Sequence, residues 1–483
     1  MNILFAASEA VPFVKTGGLA DVVGSLTKAL RNRRQTCRVV LPYYEDIPGV
    51  EKDKMKFVTS FRVSLGWRNQ YCGVFESVVG GVKYYFLDNE YYFKRRGHYG
   101  FFDDAERFGF FSKAVLEMLL HIDFAPDIIH CNDWQTAMVP VYLNAHYRHL
   151  EDFRNLRTVF TIHNIQYQGN FSYEVARDVL GLPDSAIGIV EYRGGINFRK
   201  GAIEEAEALT TVSPSYASEI LDPWFGHGLD GLLREKQYKL TGILNGLDVL
   251  EYDPETDEKI LQNYSTADPS GKAQNRRELQ RHLGLEQSKK SLVVGMVSRL
   301  VSHKGLDLVE YAFSQMMKQG IQLVVLGAGD WQYEKFLREM VASYPKKFSV
   351  TLGFDDVLAH KIYSGADVFL MPSKMEPCGL SQMISLRYGT IPIVRATGGL
   401  NDTIRDFGGK NGNGYTFQSY NGDDMLDAIN RARTDFADKD LWNAHIKAAM
   451  KCDLGWGKSA NAYIGLYKSL VSPVSEPDDE DED

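Results

Sequence analysis

At 483 residues the chain is too long for a single compact core, and its length argues for two to four domains. Hydrophobic residues are 44% and charged residues 24%, the balance of an ordinary soluble globular protein, and no apolar run of about eighteen residues is present to span a membrane. A net charge of −9 excludes the broadly basic surface that general nucleic-acid binding needs.

In chain order, the first apolar run is 3–7, too short and too poor in preceding basic residues for a signal peptide. After it, Leu19, Val22, Val23, Leu26 and Leu30 fall at helical spacing. Further short apolar runs follow at 39–42, 128–130, 159–163 and 209–212, then at 292–297, 323–326, 368–371 and 391–394. Most are continuous rather than alternating, as in parallel strands buried on both faces, and amphipathic stretches often separate them. The pattern predicts an α/β protein with two doubly wound, Rossmann-like domains.

Between 213 and 290 the rhythm breaks. Turn residues and charge dominate 223–230 and 253–258, a helical stretch covers 274–285, and a fresh βα series starts at 292. The boundary is expected near 240–265. The predicted domains are 1–245, 246–455, a helix at 456–472 packing back on the first domain, and a tail at 473–483. The tail is almost wholly acidic over 476–483, cannot bury apolar surface, and is expected to be disordered. Five scattered cysteines, Cys37, Cys72, Cys131, Cys378 and Cys452, form no CxxC motif and predict reduced thiols in a cytoplasmic protein.

In open α/β sheets ligands bind beyond the carboxyl ends of the strands. The residues there are polar and specific. Lys15-Thr16-Gly17-Gly18-Leu19 joins the first strand to a helix start, where two glycines allow close backbone approach and free N–H groups favour an anion; the same residues also make an ordinary turn and helix cap. Arg299, at the mouth of a strong strand, and Lys304 five residues on are two cations suited to a departing diphosphate, or two solvated surface groups. Glu376, in the loop Glu376-Pro377-Cys378-Gly379-Leu380-Ser381, offers a carboxylate to sugar hydroxyls, or is an ordinary surface acid. The amides of Leu380 and Ser381 open the next helix, and Cys378 fits equally as a small core residue. His163 ends its strand as a ligand group or as a partner of the neighbouring loop. Asp133 beside Trp134 suits a sugar site, or caps the helix starting near Gln135. The histidines show no metal-ligand spacing.

These motifs run in order over nearly the whole chain, from Lys15-Thr16-Gly17-Gly18-Leu19 to Trp456. Between them lie His130-Cys131-Asn132-Asp133-Trp134, Thr161-Ile162-His163-Asn164, Thr211-Val212-Ser213-Pro214, Ile243-Leu244-Asn245-Gly246, Ser298-Arg299-Leu300 with Lys304-Gly305-Leu306-Asp307, Glu376-Pro377-Cys378-Gly379-Leu380 and Thr397-Gly398-Gly399-Leu400. Each is weak alone; the ordered set resembles the bacterial glycogen and plant starch synthases, which are retaining glycosyltransferases with two Rossmann-like domains facing across a cleft (GT-B architecture). The resemblance implies a hexosyltransferase of glycogen biosynthesis. It would move glucose from ADP-glucose to the non-reducing end of an α-1,4-glucan, with no cofactor, no metal and no nucleic-acid or membrane partner.

The resemblance also implies roles. Lys15, Gly17 and Gly18 would lie near the distal phosphate and the transferred sugar. Arg299 and Lys304 would neutralise the diphosphate, and Gly379, Leu380 and Ser381 would hold it at a helix start. Glu376, with Cys378 close by, would grip glucose hydroxyls. His163 would approach the 6-hydroxyl and the anomeric carbon, Asp133 and Asn245 would help bind glucose and acceptor, and Phe354 would lie against the base. Asp21 ranks lower, since a helix-dipole role explains it. Two residues depart from the pattern. Ala20 replaces a glycine frequent in the first loop, and Ile384 stands where many related transferases carry a second carboxylate. A covalent glycosyl intermediate therefore does not transfer, and front-face substitution within a closed site is implied. The alternatives are UDP-glucose as donor, another transferase or an epimerase on the same fold, and a non-catalytic glucan-binding scaffold.

Overall fold

The structure is a computed structural model that describes residues 1–471; the acidic tail predicted at 473–483 lies outside the described residues. The chain divides into two compact units. The first comprises Met1–Val212, Ala217–Gly246 and the segment beginning at Trp456; the second comprises Ser213–Tyr216 and Leu247–Gly455.

In the first unit nine strands form one sheet. In sheet order they are Leu240–Gly242, Ala208–Thr211, Arg157–Ile162, Ile128–Asn132, Asn2–Ala6, Thr36–Pro42, Val82–Asp88, Arg68–Val79 and Lys56–Leu65. The first seven are parallel neighbours and the last two add antiparallel. The parallel strands are buried on both faces, which explains their unbroken apolar runs: Ile3, Leu4, Phe5, Val39, Val40, Ile128, Ile129, Val159 and Phe160 are all at most 1% exposed. From the central strand Asn2–Ala6 the chain first winds towards Thr36–Pro42 and later returns to the other side at Ile128–Asn132. The strand order thus reverses between Asn2–Ala6 and Ile128–Asn132, where a crevice opens at the carboxyl ends. A separate three-stranded antiparallel sheet, Asn170–Ser172, Gly195–Asn197 and Glu191–Tyr192, follows the fifth parallel strand of the chain.

The second unit is an all-parallel six-stranded sheet in the order Phe348–Leu352, Ile321–Gly327, Leu292–Val297, Val368–Met371, Ile391–Arg395 and Tyr415–Phe417. Its reversal falls between Leu292–Val297 and Val368–Met371, so the residues following these two strands share one crevice. The segment 247–264 and the helix Gly271–His282 precede the first strand. There the buried Asp257 accepts hydrogen bonds from Tyr388 Oη at 2.6 Å and pairs with His360 Nδ1 at 2.7 Å, fastening the segment to the helices Asp356–Gly365 and Ser381–Arg387.

The final helix, Gly457–Val471, belongs to the first unit and packs on the helix Gly18–Arg31. Arg33 ties the two, donating to Asn461 Oδ1 at 2.8 Å and to the Gly457 carbonyl at 3.2 Å. Tyr467 meets His130 Nδ1 at 2.7 Å inside the sheet. None of the five cysteines is in a disulfide. Among the described residues no helix is long and apolar enough to cross a membrane, and no group of three or more His, Cys, Asp or Glu gathers as a metal site.

Candidate active site

In the first unit the crevice is built from two strand ends. Beyond Asn2–Ala6, the loop Lys15-Thr16-Gly17-Gly18 leads into the helix Gly18–Arg31, whose N-cap, Gly17, offers no side chain. Lys15 Nζ pairs with Asp21 Oδ1 at 2.7 Å, so Asp21 serves as the lysine's counter-ion as well as a first-turn acid. Among the described residues no acceptor meets the amides of Gly18 or Leu19, while those of Thr16 and Gly17 are taken by Glu9 at 2.5 and 3.2 Å. The free N–H groups expected of this loop therefore begin at Gly18.

Beyond Ile128–Asn132, Asp133 adopts φ +57° and ψ 180°, a strained conformation for a residue with a side chain. Asp133 does not cap the following turn. Its Oδ1 accepts from the His163 amide at 3.0 Å and from Arg199 Nη2 at 2.7 Å. Arg199 is fully buried and also donates to the Asn164 carbonyl at 2.6 Å, so one guanidinium ties the Asp133 loop to the His163 loop. The amide nitrogen of Asn132 donates to the carbonyls of Ala6 and His130, both at 3.1 Å, which turns its oxygen towards His163 Nε2 at 2.9 Å. That arrangement places the proton of His163 on Nε2 and leaves Nδ1 as an acceptor. Burial first, and Arg199 further, lower the pKa of His163 against the opposing pull of Asp133, and the net lowering favours the neutral ring. Asn245 is buried, and among the described residues its side-chain oxygen has no hydrogen-bond partner, an acceptor left for a ligand.

In the second unit the crevice gathers the ends of Leu292–Val297 and Val368–Met371. Lys304 Nζ and Glu376 Oε2 form an ion pair at 2.6 Å, and Ser373 Oγ donates to the same oxygen at 2.9 Å. Glu376 is 6% exposed. The two groups assigned separately to diphosphate and to sugar thus hold one another. The Arg299 side chain is exposed, and its guanidinium has no ion pair or hydrogen bond among the described residues; only its carbonyl is engaged, accepting from Ser298 Oγ at 3.1 Å. The cations crowd His303, whose pKa is lowered to about 4 by burial, Lys304 and Arg299. Gly398 and Gly399 abut the Glu376 loop so closely that an added Cβ would lie 2.1 Å from the Glu376 carbonyl oxygen and 2.2 Å from that of Cys378. The Gly399 amide donates to the carbonyls of Glu376 and Pro377, both at 3.1 Å, so this pair of glycines sets the loop.

Beyond Glu376, Cys378 is buried, and Gly379 takes φ +75° before Leu380 and Ser381 open the helix Ser381–Arg387. The Ser381 hydroxyl accepts from Tyr363 at 3.1 Å. Phe354 stands 89% exposed after the strand Phe348–Leu352, its ring face open. Glu9, Asn132, Arg199 and Ser373 were not singled out in the sequence. Asn132 lies within the motif 130–134 and Ser373 just before the Glu376 loop, whereas Arg199 carries no local signal because its partners Asp133 and Asn164 are distant in sequence, and Glu9, although close in sequence to Thr16 and Gly17, belongs to no recognised motif.

The family of starch synthase catalytic domains matches residues 2–235, and that of group 1 glycosyl transferases matches residues 279–448. A glycogen synthase of Desulforamulus reducens is 49% identical over 475 residues, covering 98% of this chain and 99% of that protein; one of Geobacillus thermodenitrificans is 50% identical over 475 residues, covering 98% of each. Among solved structures, the catalytic domain of starch synthase IV from Arabidopsis thaliana, bound to ADP and acarbose, superposes with a TM-score of 0.91 at 33% identity over 98% of this chain and 99% of that one. Sucrose-phosphate synthase from Thermosynechococcus elongatus, at 17% identity and a TM-score of 0.61 over 97% and 98%, shares the fold. Two doubly wound units, matched along their length by these relatives, show that the chain belongs to the glycogen and starch synthase family of GT-B glycosyltransferases.

Proposed function

We propose that this glycosyltransferase moves glucose from ADP-glucose to the 4-hydroxyl at the non-reducing end of an α-1,4-glucan, retaining the anomeric configuration and using no cofactor. The observation that carries the reading is the Lys304–Glu376 ion pair, beside which Lys304 and Arg299 both bear on His303. This couples a diphosphate-neutralising pair of cations to a sugar-gripping carboxylate. The starch synthase that superposes on this chain was solved with ADP and with acarbose, which supports an adenine nucleotide donor and a glucan acceptor. Phe354 supplies an exposed ring for the base, and Gly379, Leu380 and Ser381 supply the helix start for the diphosphate.

In the first unit, Lys15 with Gly17 and Gly18 serves the distal phosphate and transferred sugar. Neutral His163 offers Nδ1 to the 6-hydroxyl and its carbonyl to the anomeric carbon. Asp133 and Asn245 serve glucose and acceptor. Ile384 occupies the position of a possible second carboxylate. The reading is therefore front-face displacement: the C1–O bond to diphosphate breaks, Arg299 and Lys304 take up the charge, and the acceptor oxygen bonds C1 on the same face. Its proton passes to a phosphate oxygen. Fixed charges aimed at the leaving group carry the catalysis. The domain roles, acceptor side for 1–245 and donor side for 246–455, and a cytoplasmic location belong to the same proposal.

Purified protein, glycogen primer and radiolabelled ADP-glucose or UDP-glucose in parallel test it. Label entering glucan from ADP-glucose is expected. Incorporation chiefly from UDP-glucose overturns the donor, and incorporation from neither overturns the reaction.

A further inference from the structure

Glu9 lies beyond the end of the strand Asn2–Ala6 and is 4% exposed. Its two oxygens take four donors. Oε2 accepts from the amides of Thr16 at 2.5 Å and Gly17 at 3.2 Å, while Oε1 accepts from the Thr16 hydroxyl at 2.8 Å and the Tyr99 hydroxyl at 3.1 Å. Tyr99 is itself held by Ser8 Oγ at 2.8 Å. A carboxylate buried this deeply is costly unless its lone pairs are met. Burial raises the pKa of Glu9, and the hydrogen bonds from Thr16, Tyr99 and Gly17 oppose that rise. Glu9 and the loop thus stabilise one another: the loop satisfies the carboxylate, and the carboxylate holds two successive loop amides turned inward. Lys15 precedes these amides and Gly18 follows them. With Thr16 and Gly17 committed to Glu9, the loop's amides without a protein acceptor begin at Gly18, at the start of the helix.

We infer that Glu9 is a positioning residue for glucosyl transfer, its buried carboxylate acting as a four-point clamp that sets the loop Lys15-Thr16-Gly17-Gly18 so that Lys15 and the Gly18 amide meet the donor. The inference rests on the assignment of that loop to the distal phosphate and transferred sugar. Glu9 touches no substrate in this role. Its effect passes through loop geometry, so its loss lowers the rate of the chemical step more than it weakens ground-state binding of the nucleotide.

The test compares wild type with Glu9→Gln, which keeps the volume but puts an NH2 where donors need acceptors. Two readouts are taken on the full chain: amide hydrogen exchange at Thr16 and Gly17, and kcat and KM for the nucleotide sugar that the wild type uses. Exchange at the two amides is expected to quicken on the order of tenfold or more. In parallel kcat falls on the order of tenfold to a hundredfold while the donor KM moves within about threefold. Unchanged exchange, or quickened exchange with kcat at the wild-type value, overturns the inference. Should Glu9→Gln fail to fold, Tyr99→Phe, which removes one of the four donors, is expected to give the same split on a smaller scale, and a wild-type kcat there overturns it. A wild-type chain that transfers from neither nucleotide sugar overturns the functional reading and the role built on it, a failure told apart by the wild-type rate.

Discussion

Lys304 and Arg299 stand in different states although both are assigned to the diphosphate. Arg299 is exposed and unpartnered among the described residues, so Arg299→Ala removes nothing that the fold uses. It is expected to leave the melting temperature unchanged while lowering kcat roughly a hundredfold or more. Lys304 is half-buried and bound to the buried Glu376, so Lys304→Ala strands a carboxylate as well as a cation; it is expected to lower both turnover and melting temperature. Paired melting curves and steady-state kinetics check this contrast, and near-normal turnover in both variants contradicts the leaving-group scheme. Arg199 is a second case of a buried charge that must stay paired. Arg199→Met leaves Asp133 without its guanidinium and is expected to cost about 3–5 kcal/mol by denaturant unfolding. The sequence offered two readings of Asp133, helix cap or site residue, and the structure decides against the cap because the carboxylate turns to His163 and Arg199. No periodicity marks Arg199, whose partners only the folded sheet brings near, nor Glu9, whose partners Thr16 and Gly17 are close in sequence but lie with it in a loop rather than along one helix or strand.

Among the elements, the parallel strands were readable because burial on both faces writes a continuous apolar run, and the predicted 292–297 and 368–371 agree with the observed Leu292–Val297 and Val368–Met371. The hairpin Lys56–Leu65 and Arg68–Val79 went unrecognised. Its edge strand alternates exposed and buried residues over 60–65 and its second strand has only the short buried stretch 72–74, so neither carries the longer run that marked the others. The small sheet around Gly195–Asn197 was missed because its strands are only two or three residues long. The glycine at Gly305, in the motif that carries Lys304, has φ +77°, and an added Cβ would lie 2.1 Å from the Pro372 carbonyl oxygen. Gly305→Ala is expected to cost at least about 1–3 kcal/mol and to reduce turnover by shifting Lys304. Wild-type stability and rate in that variant contradict the reading of a backbone-limited approach.

At the scale of the whole molecule, the chain returns from its second unit to complete the first. The last helix inserts Tyr467 against His130, whose Nε2 also meets the Thr161 hydroxyl at 2.5 Å. Burial lowers the pKa of His130 to about 3, helped by His163, against about 6.5 when unfolded. Between those values the unfolded chain binds a proton that the native ring refuses, so stability contributed above about pH 6.5 is progressively lost as pH falls towards 3. Melting temperature is therefore expected to fall more steeply from pH 7 to pH 4 in wild type than in His130→Gln, and parallel curves contradict the assignment. The return of a C-terminal helix was suggested by an amphipathic stretch left over after the second sheet; which surface receives it depends on contacts such as Arg33 with Asn461, which no local pattern announces. The central claim concerns bond formation. Proton NMR of maltotriose with ADP-glucose and the wild-type chain tests it most directly: a new α-1,4-linked glucosyl signal growing in step with ADP is the predicted result, whereas a β-anomeric linkage, or free glucose released without elongation, contradicts retaining transfer to a glucan.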